Sequence, residues 1–173
     1  METLSDQVAA AAVGAGVKIV LAESCTAGLV AQSLSRIPGA SRWFCGSAVV
    51  YRNETKSAWL GISPQQLADP LIGPVSYETA AAMCAGVLRL TPEADLAASV
   101  TGHLGPQAPS EQDGVVFIGV QLRTDRSATV VRHQLPNEES LRRPAGITLR
   151  QYRQQLSGEA VLTALAAALN RLG

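Results

Sequence analysis

Lys18-Ile19-Val20-Leu21-Ala22 is an apolar run with β-branched members that breaks abruptly into the small and polar residues Glu23-Ser24-Cys25-Thr26-Ala27-Gly28. Leu29, Val30, Leu34 and Ile37 then recur at helical spacing. The stretch predicts a buried strand, a tight turn and a helix whose N-terminus carries Ser24, Cys25 and Thr26. Such a turn exposes backbone N–H groups and the positive end of a helix dipole, which suit a phosphate or a developing oxyanion. Ser24 there is either a nucleophile or an N-cap, since Ser and Thr are the usual capping residues.

The rest of the chain follows the same two periods. Thr3 to Ala15 reads as an alanine-rich helix ended by Gly14 and Gly16, and the helix after Ser24 closes near Ile37-Pro38-Gly39. Trp43 to Tyr51 is a second strand, followed by a short helix with Asn53 as its expected N-cap and Gly61 as its stop. Ser63-Pro64 opens another helical turn, and Asp69 to Pro74 is a loop. Ser76 to Leu90 is the clearest helix, with Met83, Val87 and Leu90 on its apolar face. Asp95 to Val100 reads as a strand of small residues, and Gln107 to Asp113 as a polar loop. Val115 to Leu122 and Thr129 to Leu135 form a hairpin around Thr124-Asp125-Arg126, so the sheet should be mixed. A loop over Pro136 to Pro144 leads to a last helix from about Thr148 to Leu172. Alternating helices and strands with one hairpin predict an α/β fold, a three-layer α/β/α sandwich around a mixed central sheet.

Composition narrows the function. The 173 residues suit one domain, 47% are apolar and 16% charged, and the formal net charge is zero. A dedicated nucleic-acid binder is disfavoured by that neutrality. Cys25, Cys45 and Cys84 form no CxxC or Cys/His pattern, which points to reduced thiols rather than disulfides or a zinc site. No apolar run reaches membrane-spanning length, and the N-terminus lacks a basic region before its alanine run. A cytoplasmic protein with no membrane partner is expected.

Among 14 basic residues only Lys18 and Lys56 are lysines. Where charge alone is needed this chain uses arginine, so a lysine kept at position 56 is either a leftover exposed cation or wanted for what arginine cannot do, which is to release its proton. At an ordinary lysine pKa of about 10.4, making it neutral at pH 7 costs about 4 to 5 kcal/mol, which burial can supply. Tyr51 is positioned to enter the same pocket or to sit as an edge aromatic with a wet hydroxyl. The Tyr51 to Lys56 spacing is one residue too long for the Tyr-x-x-x-Lys pair of short-chain dehydrogenases, and no GxGxxG follows the first strand. Thr101-Gly102-His103-Leu104-Gly105 lies at a second strand end, where it is a ligand loop or a structural turn. His103 is a weaker alternative base for Ser24, because no acid is placed to orient it. Seven arginines between Arg123 and Arg153 face only Asp125, Glu138 and Glu139, giving a basic solvated face or an anion clamp.

Taken together, Ala22-Glu23-Ser24-Cys25-Thr26-Ala27-Gly28, Val50-Tyr51-Arg52-Asn53-Glu54-Thr55-Lys56 and Val100-Thr101-Gly102-His103-Leu104-Gly105-Pro106 resemble the three motifs of the CinA C-terminal domain family. Pro38-Gly39-Ala40-Ser41, Leu60-Gly61 and Gly114-Val115-Val116-Phe117-Ile118-Gly119 fit its pattern as well, so the likeness spans roughly residues 5 to 122. The resemblance implies an amidohydrolase that converts nicotinamide mononucleotide to nicotinic acid mononucleotide and ammonia. It implies Ser24 as nucleophile, Lys56 as its base, and Tyr51 beside them. The substrate would be held by the turn Cys25, Thr26, Ala27 and Gly28, by Thr101 and Gly102, and by an arginine. The family further implies a three-layer α/β/α fold, no metal or other cofactor, and usually a homodimer. With Ser24 as nucleophile, Thr26 becomes the expected cap and the helix N-terminus the expected oxyanion site.

The sequence also departs from that family. Ala27-Gly28 stands where members often carry Gly-Gly, His103 replaces an aliphatic residue, and the glycines usual after Gly105-Pro106 are missing. The Gly-Asp-Arg motif expected before the last helix is absent. Arg150 and Arg153 are the candidates to replace its arginine as phosphate ligand, and the sequence does not choose between them.

Overall fold

The computed structural model describes residues 3–137 and 144–172. Most of the loop expected over 136–144 lies outside the described residues, as do Glu138, Glu139, Arg142 and Arg143. The chain runs α1 (Leu4–Ala15), β1 (Ile19–Glu23), α2 (Leu29–Ser35), β2 (Phe44–Val49), α3 (Asn53–Leu60), α4 (Pro64–Ala68), α5 (Tyr77–Leu90), β3 (Leu96–Gly102), β4 (Val115–Leu122), β5 (Thr129–Gln134) and α6 (Leu149–Leu169).

The sheet order is β2-β1-β3-β4-β5. The first three strands are parallel, and β4 and β5 add antiparallel. The sheet is therefore mixed, as the hairpin predicts. α1, α2 and α6 pack on one face through Val8, Ala12, Val30, Leu34, Val161 and Leu165. α3, α4 and α5 cover the other through Leu60, Leu67, Met83 and Val87. The result is the expected three-layer α/β/α sandwich. Covered on both faces and paired on both edges, β1 is buried at all five positions, which is why it reads as a continuous apolar run.

Register decides where the chemistry goes. Glu23 at the end of β1 lies opposite Val49 of β2 and Val100 of β3. The residues following all three strands therefore gather on one edge, at the carboxyl ends of parallel strands, where the chain leaves β1 for β2 on one side and returns to β3 on the other.

Of the boundaries that differ from those read off the sequence, two bear on the site. Arg52, not Asn53, caps α3: its N–H donates to Thr55 Oγ1 at 3.2 Å, and that hydroxyl donates back to the Arg52 carbonyl at 2.8 Å. β3 extends through Thr101 and Gly102 because both pair with Phe117 and Val116 of β4, a partner invisible from the local pattern. At Gly102 a Cβ would collide with Val116 and lie 2.8 Å from the Val115 carbonyl. This glycine is required by strand packing. Gly102→Ala should lower the unfolding free energy by about 1–3 kcal/mol, the usual cost of overpacking. Urea denaturation measures it, and a midpoint equal to wild type would show that β4 yields freely.

Candidate active site

The turn after β1 is held from three directions. Ser24 N–H donates to the Val100 carbonyl at 3.0 Å, extending the β1–β3 ladder by one residue and fixing Ser24 at the sheet edge. Ala27 N–H donates to the Ser24 carbonyl at 3.0 Å. Ala27 and Gly28 follow with φ of 53° and 96°. Two successive left-handed residues are what a Gly-Gly pair accepts without strain, whereas alanine there carries a cost of roughly 1–2 kcal/mol.

The N-terminus of α2 is already occupied. Glu23, 1% exposed, accepts hydrogen bonds from the backbone of Gly28 at 3.0 Å, Val30 at 3.1 Å and Ala31 at 2.9 Å. Thr26 Oγ1 donates to the same carboxylate at 2.8 Å and Ser47 Oγ at 3.1 Å. A carboxylate takes five donors here, at the end of a helix dipole that favours negative charge. This corrects two expectations. The helix N-terminus is not open to an oxyanion or phosphate, and Thr26 is not the cap: Gly28 holds that position, and Thr26 points inward as a donor. Two N–H groups of the turn remain. Among the described residues, Cys25 N–H and Thr26 N–H have no protein acceptor, except that Cys25 faces its own sulfur.

Lys56 approaches Ser24 from the next strand. Val50 N–H donates to the Glu23 carbonyl at 2.8 Å, so the chain enters α3 beside the turn. One turn into α3, Lys56 Nζ donates to Ser24 Oγ at 3.0 Å and to the Val50 carbonyl at 3.0 Å. Lys56 is 2% exposed, and no carboxylate among the described residues pairs with it. Burial pulls its pKa down; the nearby Cys25 thiol opposes this more weakly. Lys18 is the opposite case, an exposed cation paired with Glu93 at 2.8 Å. Ser24 is itself buried, so the pair sits at the floor of a cavity of about 240 Å³.

The walls of that cavity sort the remaining candidates. Tyr51 lines it at the rim, about half exposed; its hydroxyl accepts from Arg150 Nη2 at 2.6 Å and bonds to neither Ser24 nor Lys56. Arg150 lines it too and donates through Nη1 to the Gly105 carbonyl at 2.6 Å, joining three separate segments. Thr101 and Gly102 line it, with Thr101 Oγ1 donating to the Pro74 carbonyl at 2.7 Å. Cys25 lines it as an inert thiol, its pKa pushed up to about 12 by burial. Ala27, Gly28 and the Thr26 side chain, which is turned to Glu23, do not line it. His103 is half-buried in the wall, with its pKa lowered chiefly by burial, but Ser24 Oγ is engaged by Lys56 and not by the imidazole.

Arg153 is elsewhere. It is fully buried and grips Asp113 with both terminal nitrogens at 2.8 and 2.7 Å, while Nε donates to the Pro136 carbonyl at 2.8 Å. Cβ atoms at Gly105 and Gly114 would stand 3.0 and 3.1 Å from its guanidinium, so both glycines make room for it. As a phosphate ligand Arg153 is thereby corrected: it locks α6 to the loop after β3 and also draws the Asp113 carboxyl below its ordinary range.

Two contributors escaped the sequence reading. Glu23 stood in the first motif as an acidic residue closing an apolar strand, a signal for a buried, satisfied carboxylate. Gln154, which donates to the Cys25 and Thr26 carbonyls at 3.1 and 3.2 Å, left no signal at all. Among the described residues no group of three His, Cys, Asp or Glu side chains is placed to hold a metal ion, and no helix is long and apolar enough to cross a membrane.

Comparison with known proteins agrees with this architecture. The chain is 46% identical over 119 residues to a CinA-like protein of Myxococcus xanthus, covering 65% of this chain and 28% of that protein. It is 42% identical over 121 residues to a CinA-like protein of Geobacter metallireducens, covering 69% and 29%. The chain thus matches less than a third of the length of these curated relatives. A CinA superfamily protein from Klebsiella pneumoniae 700603 superposes with a TM-score of 0.83 at 22% identity, over 97% of this chain and 96% of that one. The competence/damage inducible protein CihA from Agrobacterium tumefaciens gives 0.78 at 27% identity, over 96% and 95%. The family model described as the CinA C-terminal domain matches residues 1–169, and the chain belongs to that family.

Proposed function

We propose that this chain is a Ser/Lys amidohydrolase that deamidates nicotinamide mononucleotide to nicotinic acid mononucleotide and ammonia. The observation that carries the proposal is a buried lysine, lacking any carboxylate partner among the described residues, 3.0 Å from a buried serine hydroxyl. A lysine in that setting is favoured in its neutral form, and its lone pair is then the acceptor for the Ser24 proton. Ser24 Oγ attacks the carboxamide carbon as Lys56 takes that proton. The N–H groups of Cys25 and Thr26, which have no acceptor beyond the Cys25 sulfur among the described residues, take the oxyanion in place of the helix N-terminus. Lys56 returns the proton to the leaving nitrogen and ammonia departs. Lys56 next takes a proton from water, the hydroxide attacks the acyl carbon, and Ser24 recovers its proton. Arg150, which lines the cavity and is unpaired with any carboxylate among the described residues, is the ligand for the substrate phosphate.

Incubation with nicotinamide mononucleotide should release ammonia. Ser24→Ala and Lys56→Ala should each lower kcat by at least about 10³-fold with the fold intact. Lys56→Arg should not rescue, because arginine keeps its proton. Since the base must be neutral, kcat/KM should rise with pH and reach its plateau below the ordinary lysine pKa of about 10.4. Nucleotide binding without ammonia release would instead favour a regulatory binding domain. Release by another nucleotide amide alone would reassign the substrate.

The two arginines should separate by assay. Arg150→Ala is expected to raise KM about tenfold or more with little change in melting temperature, the loss of a charge-assisted contact. Arg153→Ala is expected to lower stability by about 2–4 kcal/mol, since it strands Asp113 and buried carbonyls. Calorimetry beside steady-state kinetics reads both, and the reverse pattern would exchange their roles.

A further inference from the structure

One face of α6 carries a row of which the proposed chemistry uses only the first member. Arg150, Gln154 and Gly158 lie four residues apart and so share a helix face. Arg150 reaches Tyr51 and Gly105. At Gly158 a Cβ would stand 2.5 Å from Leu29 Cδ2, so α6 meets α2 closely there. Between these fixed points, the Gln154 amide donates to the Cys25 carbonyl at 3.1 Å and the Thr26 carbonyl at 3.2 Å. These are the two carbonyls that follow the serine.

We infer that Gln154 is a positioning residue: by holding the Cys25 and Thr26 carbonyls on the α6 side, it sets the Thr26 N–H as an oxyanion donor. In a planar trans peptide the C=O and N–H of one unit point in opposite directions. The unit whose carbonyl Gln154 holds at Cys25 is the unit whose N–H belongs to Thr26. That N–H is directed away from α6 and has no protein acceptor among the described residues. The neighbouring units are fixed independently. The Ser24 carbonyl accepts from Ala27, and the Thr26 carbonyl accepts from Leu29 at 3.2 Å as well as from Gln154. Of these three units, only Cys25–Thr26 has no backbone donor on its carbonyl among the described residues, so its orientation depends on Gln154. Gln154 also draws electron density toward the carbonyl, which makes the opposite N–H a stronger donor.

This role rests on the amidase reading, and the test separates the two. Wild type, Gln154→Met and Gln154→Glu are compared in kcat and KM for nicotinamide mononucleotide. Two affinities are measured beside them: that for nicotinic acid mononucleotide, an unreactive ground-state ligand, and that for the matching pyridine carboxaldehyde mononucleotide. With the aldehyde, Ser24 Oγ adds to the carbonyl carbon, its proton passes to Lys56, and the carbonyl oxygen becomes a hemiacetal oxyanion. In Gln154→Met, kcat should fall about 10- to 100-fold, in the range set by displacing one oxyanion donor. Aldehyde affinity should fall in parallel, while acid affinity and melting temperature stay near wild type. Gln154→Glu keeps the size without an N–H to donate and should show the same pattern. Unchanged kcat in both variants, or equal losses of aldehyde and acid affinity, would overturn the role of Gln154 with the amidase intact. A wild-type protein that neither turns over nor binds the aldehyde in preference to the acid would overturn the amidase reading and this inference with it.

Discussion

A lysine amine buried with no carboxylate partner among the described residues is the constraint around which this edge of the sheet is arranged. In water such a group holds its proton until about pH 10.4, and removing that preference at pH 7 takes about 4 to 5 kcal/mol. Lys56 is 2% exposed and, among the described residues, its nitrogen meets only the Ser24 hydroxyl and the Val50 carbonyl. A charged amine would need compensation that these two oxygens do not supply, so desolvation favours the neutral form. Everything that fixes those two oxygens consequently bears on Lys56. Val100 holds Ser24, and Glu23 holds Val50 through its backbone carbonyl. Register between β1, β2 and β3 thus becomes a distance between a hydroxyl and an amine.

Glu23 shows how the same edge keeps its charges apart. Its carboxylate is as buried as the lysine but is satisfied by five donors and the N-terminus of α2. It has no need of Lys56 as a counter-ion, and the lysine has none among the described residues. The helix dipole is spent on the protein's own carboxylate, so in the proposed reaction the developing negative charge turns to the peptide units nearer Ser24. α6 supports the opposite wall in the same divided way. Arg153 is wholly engaged with Asp113 and backbone carbonyls, whereas Arg150, one turn earlier, faces the cavity.

The layers of the fold were legible because burial on two faces and on one face leave different periods in a sequence. β1 is a continuous apolar run, and α5 shows Met83 and Val87 at helical spacing. What local pattern could not show was partnership. β3 runs through Gly102 because β4 lies alongside, and Arg52 caps α3 because Thr55 returns to it. The candidate site divides similarly. Ser24 and Lys56 stood out through a turn of small residues and the scarcity of lysine, and the structure brings them together. Arg150 and Arg153 are equivalent in composition and helical position, and only Asp113, 40 residues away from Arg153, tells them apart. Glu23 looked like part of a motif because its donors lie ahead of it in sequence, and Gln154 acts across 129 residues. Residues that work through a distant backbone leave no local trace.

The protonation of Lys56 is open to direct measurement, because the chain has only two lysines and each serves as the other's control. Titration of the side-chain 13Cε and 15Nζ resonances by NMR, assigned with a Lys18→Arg variant, follows both amines in one sample. Lys56 should titrate below the ordinary lysine value, displaced by burial, and Lys18 above it, held up by Glu93. A Lys56 resonance that titrates with Lys18 or above it would mean that the amine beside Ser24 is an ammonium throughout the physiological range, and the serine would have lost its base.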